Sequence, residues 1–253
     1  HGLIESQPHA RFHAAIAATT VTGADGVNLL AETLEEMETM TSATIYEGQT
    51  LVSIWLGNTR VRERKGGPRV TAAHLEDMRA VLRPGDILNE RQDWFLSRAL
   101  MPGYWAHAAL YVGDAEMIAA RGIPDQASVA PHWKQFQSAP FDILEAVPAG
   151  VRMTTLDHCV GVADSAAILR PRLSDKQINA AIARAFRDIG KPYDFEFDFF
   201  SSDKVVCTEL IYRAFAGQIE FDLVDVLGRR TLPPTELARQ CVTESDDDNR
   251  AFD

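Results

Sequence analysis

The sequence predicts an α+β fold in which a helical N-terminal segment (residues 1–80) precedes an α+β domain (residues 81–253). Two observations support this prediction. Before residue 80, apolar side chains recur at three- and four-residue spacing among helix-forming residues. After Pro84, short β-rich runs bounded by turn residues alternate with helices. We expect the helical segment to act either as a lid or as a partner-binding surface, and the sequence does not decide between the two.

The best helix signals have recognisable caps. VTAAHLEDMRAVL has Thr71 as its N-cap and is ended by RPG. SDKQINAAIARAFRDIG has Ser174 as its N-cap and Gly190 at the C′ position. A third helix begins at Cys207, directly after a buried strand end in DKVVCTELIYRAFAG. The expected strands are DILNER, HAALYVGD, FDILEAV and SAAILRP.

Composition excludes some classes of partner. The chain has 253 residues and a formal net charge of −11, and that charge repels a nucleic-acid backbone. No apolar run reaches the roughly 18–20 residues that span a bilayer, so no transmembrane segment is expected. No secretory signal is visible. A cytoplasmic location is therefore the default, while the cell envelope stays open because the chain begins at His1 rather than Met. The oligomeric state is not indicated.

The cysteines do not predict a metal site or a disulfide framework. Cys159, Cys207 and Cys241 are the three cysteines, so at least one thiol lies outside any intrachain disulfide. No CxxC pair is present, and the HExxH, P-loop and Rossmann motifs are also missing. The sequence therefore predicts neither a metal ion nor an organic cofactor.

The position of Cys207 at the start of a helix suits a reactive thiol. The first N–H groups of a helix point towards such a side chain, and the positive end of the dipole lowers its pKa. The same N–H groups are able to bind an oxyanion during acyl transfer. A free cysteine is also commonly a small buried hydrophobe, so the position alone leaves both roles open.

A nucleophilic cysteine needs a base, and His107 is the best candidate among the seven histidines. Strand alternation in GYWAHAALYVGD puts His107 on one face with Trp105 and Tyr111, like the wall of a cleft. The opposite face is small and apolar, as expected for a core. A structural, hydrogen-bonded histidine is the alternative.

Glu145 is a candidate for the group that orients the base. Alternation in FDILEAVPAG places Glu145 at the end of an otherwise apolar strand face. A carboxylate that is buried there needs a partner, and a neighbouring imidazole would serve. A solvent-facing glutamate near a turn is the alternative.

Five segments occur in an order that resembles a known enzyme family. They are LRPGDILNERQDW, PGYWAHAALYVGD, EAVPAGV, GKPYDFEFDFF and VVCTELIYRAF. This set is similar to the permuted, YiiX-like branch of the NlpC superfamily of papain-like cysteine hydrolases. The histidine strand precedes the cysteine helix here, which is the mark of the circularly permuted branch. A catalytic triad is defined by spatial roles, so the site is expected to survive the changed chain order.

The resemblance implies catalytic roles for three residues. It implies that Cys207 is the nucleophile, that His107 is the base and that Glu145 is the third member. Glu116, in GDAEMIAA, competes for the third role because it lies soon after the histidine strand, and the segment between the two glutamates looks like an insertion. Tyr193 matches the K-P-Y-D-F segment of the family. The substrate-binding candidates are Trp105, Tyr111 and Tyr193.

The resemblance also implies a fold and an activity. The fold is a circularly permuted, papain-like (NlpC-type) domain, with an antiparallel half-barrel sheet packed on the Cys207 helix. The activity is that of a cysteine peptidase or amidase that forms an acyl-enzyme, with cell-wall peptides as one substrate class. A lipid-directed acyl hydrolase or acyltransferase is an alternative, since aromatic residues near the cleft suit either substrate. A non-catalytic binding module on the same scaffold is a third possibility.

Overall fold

The computed structural model describes residues 67–93, 103–195, 199, 203–226, 229–243 and 251–252. The chain divides into two compact units, and the described residues belong to the unit formed by residues 66–93 and 101–253. Residues 1–66 of the expected helical N-terminal segment lie outside the described residues. Within the described part of the chain, no helix is both long and apolar enough to cross a membrane.

A five-stranded antiparallel sheet forms the centre of the described fold. Its strands are β1 (Ile87–Arg91), β2 (His107–Tyr111), β3 (Ile143–Val147), β4 (Gly150–Thr154) and β5 (Ser165–Leu169). They stand in the order β4-β3-β2-β1-β5, and each neighbouring pair is antiparallel. The four expected strand runs are confirmed as β1, β2, β3 and β5. Strand β4 was not expected. The α+β fold class is confirmed.

Helices surround the sheet, and a short hairpin follows it. The helices are α1 (Ala72–Val81), α2 (Ala115–Ala120), α3 (Ala130–Phe136), α4 (Leu156–Cys159), α5 (Asp175–Phe186), α6 (Cys207–Ala214) and α7 (Pro234–Thr243). The hairpin strands are β6 (Val224–Val226) and β7 (Arg229–Thr231).

Two of the expected N-caps are confirmed, and one expected C-terminus is wrong. The Thr71 hydroxyl accepts a hydrogen bond from the His74 N–H at 3.3 Å, and the Ser174 hydroxyl accepts one from the Gln177 N–H at 3.4 Å. Helix α5 ends at Phe186, so Gly190 lies beyond its C′ position. Gly190 instead has φ +85° in the turn that follows the helix.

Both faces of the sheet are buried. On one face, Leu110 and Leu144 of the sheet belong to the same core as Phe186 of α5 and Leu210 of α6. On the other face, a second apolar cluster contains Leu88, Ala109, Tyr111 and Ile143 of the sheet with Leu75 of α1 and Leu156 of α4. The sheet is therefore the middle layer of the described unit.

The packing brings three separate segments to one end of strand β2. Helix α6 packs on β2 and β3, so its first residue, Cys207, faces the start of β2. Gly150, at the β3–β4 turn, has φ +105°, and a Cβ there would lie 2.7 Å from the carbonyl oxygen of Lys191. Because Gly150 has no side chain, the segment that precedes Tyr193 is able to approach β4. There the Gly190 N–H donates to the carbonyl oxygen of Val151, and the Val151 N–H donates to that of Lys191.

Candidate active site

Helix α6 begins at Cys207 without a conventional capping side chain. Val206 is extended, with φ −89° and ψ 166°, and has no side-chain acceptor. The Glu209 carboxylate instead accepts a hydrogen bond from the Val206 N–H at 3.3 Å. Arg213, one turn later, forms an ion pair with Glu209. These contacts fix the start of the helix and hold the Cys207 thiol in place, where it is 3% exposed.

The Cys207 thiol lies against the start of strand β2. It is hydrogen-bonded to the side chain of His107, and the backbone N–H groups of Ala108 and Thr208 also bond the sulfur. Burial by itself raises the pKa of the Cys207 thiol, but His107 and the two N–H groups outweigh burial and lower it overall. The surroundings therefore favour the thiolate, which is the nucleophilic form.

Glu145 holds the His107 ring from the neighbouring strand. Nε2 of His107 is 3.1 Å from Oε2 of Glu145. In the register of β2 and β3, Glu145 is paired with Ala109, two residues after His107, so it lies on the same face as His107. The second oxygen, Oε1, accepts hydrogen bonds from Nε of Arg152 at 2.9 Å and pairs with its Nη2 at 2.8 Å.

These contacts favour the charged forms of His107 and Glu145. Burial raises the pKa of the Glu145 carboxyl, but His107 and Arg152 outweigh it and lower the pKa to about 2. Burial lowers the pKa of His107, but hydrogen bonds to Cys159, Cys207 and Glu145 raise it well above its ordinary value. The three shifts in pKa all favour an imidazolium that lies between a carboxylate and a thiolate.

Tyr193 contacts the sulfur from the segment before α6. Its backbone forms an isolated bridge with Val205, two residues before Cys207. The Tyr193 hydroxyl is hydrogen-bonded to Cys207, and the side chain is buried. Burial and the charge of Cys207 raise the pKa of Tyr193 above its ordinary value, so the hydroxyl remains a proton donor at neutral and alkaline pH.

A second buried thiol, Cys159 at the end of α4, is also hydrogen-bonded to His107. Burial raises the pKa of Cys159 to about 12, so it stays protonated. One ligand atom each from His107, Glu145 and Cys159 lies within 4.8 Å of the others, a spacing that suits a metal ion. We assign the three residues to the hydrogen-bonded surroundings of Cys207, because Oε1 of Glu145 already forms an ion pair with Arg152.

A family model matches residues 81–246 of the chain. It describes the permuted papain-like amidase enzymes of the YaeF/YiiX type, the C92 family. The chain belongs to this family. The expected relationship to permuted papain-like cysteine hydrolases is therefore confirmed. No curated protein and no solved structure gives a significant match to the chain.

Membership in the C92 family makes this chain an enzyme of the papain-like amidase class, which acts on amide or peptide bonds. The matched range begins in α1 and ends after α7, so it contains the whole described sheet and helix α6. Cys207, His107 and Glu145 all lie within the matched range.

The structure brings Glu145, and not Glu116, to the imidazole of this C92 family member. Glu145 is 2% exposed and contacts His107. Glu116 lies in the first turn of α2 and is exposed to solvent. The segment between the two glutamates, expected to be an insertion, contains α3, whose Phe136 packs in the main core.

The remaining aromatic candidates differ in position. Trp105 is half-buried two residues before His107. Its backbone N–H donates to Oγ1 of Thr235 at 2.9 Å, and its ring meets Tyr104 edge-on. Tyr111, expected in the cleft wall, is buried in the second apolar cluster with its hydroxyl directed at Sδ of Met117. Helices α1 and α4 cover this part of the sheet, so the face predicted to line a cleft is core at Tyr111.

Several site contacts have no signal in the local sequence. Arg152 and Cys159 reach Glu145 and His107 only through the sheet register and the fold of α4. The pairing of Glu90 with His107 has the same origin. A prediction of the register of β1 to β4 would have found Glu90 and Arg152, because Glu90 is paired with His107 and Arg152 with Glu145.

Proposed function

We propose that the protein hydrolyses an amide bond in a peptide substrate through a Cys207–His107–Glu145 triad and a covalent acyl-enzyme. One observation carries the proposal: in a member of an amidase family, the thiol at the start of α6 bonds an imidazole that a buried carboxylate holds. A nucleophile, a base and a group that orients the base are what thiol-dependent acyl transfer requires.

The first half of the reaction forms a thioester. His107 takes the proton of the Cys207 thiol, and Glu145 stabilises the imidazolium that results. The thiolate attacks the carbonyl carbon of the amide and produces a tetrahedral oxyanion. When this intermediate collapses, His107 gives its proton to the leaving nitrogen, the C–N bond breaks, and the acyl group stays on Sγ of Cys207.

The oxyanion needs donors that are in place before the reaction. The backbone N–H of Cys207, in the first turn of α6, is one such donor. The Tyr193 hydroxyl is a second, because it already bonds the sulfur and its raised pKa keeps the proton on the oxygen. Loss of one such donor costs on the order of 10²–10³ in rate in other enzymes.

The second half of the reaction releases the acid. His107, now neutral, takes a proton from water, and the resulting hydroxide attacks the thioester carbonyl. The C–S bond breaks, the sulfur leaves as a thiolate, and the imidazolium is restored. The products are a carboxylic acid and an amine, and the cycle needs no oxidant, reductant or cofactor.

The substrate class that we propose is a peptide amide, with cell-wall peptides as the first group to test. The amidase character of the family supports this class. Trp105 is two residues before His107 and is half-buried, so its ring is suited to flank a peptide backbone. A lipid substrate and binding without turnover are outcomes that the experiment distinguishes.

The experiment offers the full chain a panel of cell-wall peptides and a panel of phospholipid vesicles. Products are identified by mass spectrometry for the wild type, for Cys207→Ala and for Cys241→Ala, in which a half-buried thiol on α7 is removed. We expect cleaved peptide amides with the wild type and Cys241→Ala, none with Cys207→Ala, and an acyl adduct on the Cys207 peptide after an acid quench. Undiminished activity of Cys207→Ala would refute the triad, deacylated lipids alone would favour the lipid alternative, and peptide binding without products would favour a binding module.

A further inference from the structure

A second glutamate faces His107 from its other neighbouring strand. The register of β1 and β2 pairs Glu90 directly with His107. Paired residues of antiparallel strands carry their side chains on the same face, about 4.5–5.5 Å apart at Cβ. Glu145 lies on that face too, and therefore the imidazole stands between two carboxyl-bearing positions, one on each side of β2.

Glu90 is buried without a cation of its own. Its side chain is 7% exposed, and its two oxygens share a single donor, Nε2 of Gln92, at 3.4 Å each. Among the described residues, no lysine or arginine forms an ion pair with Glu90. Glu145, by contrast, has both His107 and Arg152. The proposed mechanism does not use Glu90.

Within the described part of the chain, His107 is the main positive charge acting on Glu90. Burial raises the pKa of the Glu90 carboxyl above its ordinary value, and the charge of His107 offsets only part of that rise. Glu145 and Asp164 are negatively charged neighbours that raise it further. The polar and titratable groups that face Glu90 are Gln92, His107, Glu145, Cys159 and Asp164.

We propose that Glu90 is a positioning residue for His107, a second carboxyl group that, once ionised, stabilises the imidazolium and extends the thiolate–imidazolium pair to higher pH. This inference rests on the proposed function of Cys207 and His107. Because the interaction between two charges is reciprocal, a carboxylate that His107⁺ helps to ionise must in turn hold the proton on His107. Glu145 fixes the ring from β3, and Glu90 supplies charge from β1.

The test measures the protonation of His107 directly. In the full chain labelled with ¹⁵N-histidine, the His107 signal is assigned by its loss in His107→Ala, and its titration is followed by NMR. We expect Glu90→Gln to lower the pKa of His107 by about one pH unit, because it removes one nearby charge in a buried site. Glu116→Gln makes the same change on the exposed first turn of α2 and is expected to leave the His107 titration unchanged.

The same samples separate failure of this inference from failure of the proposed function. Iodoacetamide labelling of Cys207 is measured for the wild type, Glu90→Gln and His107→Ala. If labelling depends on His107 but Glu90→Gln leaves the His107 pKa unchanged, Glu90 has no positioning role and the triad stands. If labelling does not depend on His107, the proposed function itself fails. Glu90→Met, which is uncharged and of similar volume, is expected to give the same pKa shift and replaces Glu90→Gln if that variant does not fold.

Discussion

His107 and Glu145 are joined across two paired strands, with Nε2 of the imidazole 3.1 Å from Oε2 of the carboxylate. The register of β2 and β3, rather than a loop, therefore sets the orientation of the ring. Glu145 is 2% exposed, so the contact is shielded from water. A base held on a rigid sheet is oriented before substrate arrives, and such orientation lowers the cost of reaching the reactive geometry.

The first prediction concerns the identity of the third triad member. Glu145→Gln keeps the shape of the side chain but removes the negative charge that stabilises the imidazolium. We expect kcat/KM for a cleaved peptide to fall by about 10²-fold or more, within the range for general acid–base contributions. Glu116→Gln, the matched change on α2, is expected to keep wild-type activity. The reverse pattern, with only Glu116→Gln impaired, would assign the role to Glu116.

The second prediction uses two cysteines as probes within one molecule. His107 and two backbone N–H groups lower the pKa of Cys207, because together they outweigh the effect of burial. Burial raises the pKa of Cys159 to about 12. At pH 7 only about one Cys159 thiol in 10⁵ is then ionised. Both thiols are buried, so exposure does not separate them. We expect iodoacetamide at pH 6–7 to label Cys207 and to leave Cys159 unmodified, as read from peptide masses.

The control for this labelling experiment is His107→Ala. Without the imidazole, burial is no longer outweighed, so the pKa of Cys207 is expected to rise and labelling at pH 6–7 to slow by about tenfold or more. Labelling of Cys159 at the wild-type rate of Cys207 would contradict the difference in pKa. An unchanged Cys207 rate in His107→Ala would show that the thiol is not activated by this histidine.

Local sequence signals were sufficient to place the helix start and the strands that carry the candidate site residues. Ser174 predicted the start of α5, and Cys207 was correctly placed at the start of α6. Alternation within β3 correctly suggested that Glu145 needs a partner, because the partner lies on the adjacent strand. Each of these inferences depends on residues within one element, where the period of the backbone fixes the direction of a side chain.

Contacts between residues on different helices and strands could not be predicted from local sequence signals. Alternation placed Tyr111 on the face of His107, but it could not show that α1 and α4 cover that face, so Tyr111 is core rather than cleft. Strand β4, GVRMT, was not expected, and Arg152 was missed together with it. The contact of Cys159 with His107 joins residues 52 positions apart and likewise has no local signal.

The third prediction concerns stability and the Arg152–Glu145 pair. The pKa of Glu145 is about 2 in the folded chain, because His107 and Arg152 outweigh its burial, and about 4.3 is expected in the unfolded chain. The sign follows from linkage: a lowered carboxyl pKa stabilises the fold above the unfolded value, and this contribution is lost as pH falls from about 4.3 through about 2. This lowering of the Glu145 pKa by about two units corresponds to about 3 kcal/mol of stability, which His107 and Arg152 supply together.

Arg152→Met is therefore expected to lower the free energy of unfolding by about 1 kcal/mol or more at pH 6–7, and by progressively less as pH falls towards 3. Urea unfolding between pH 3 and pH 7 measures this difference, and the contributions of other titrating groups cancel between variant and wild type. Arg239→Met breaks a pair with Glu236 on α7 in which the arginine side chain is 47% exposed, so it is expected to change the free energy of unfolding little at any pH. A loss in Arg152→Met that is the same at every pH would mean that Arg152 stabilises the fold through packing rather than through the charge of Glu145.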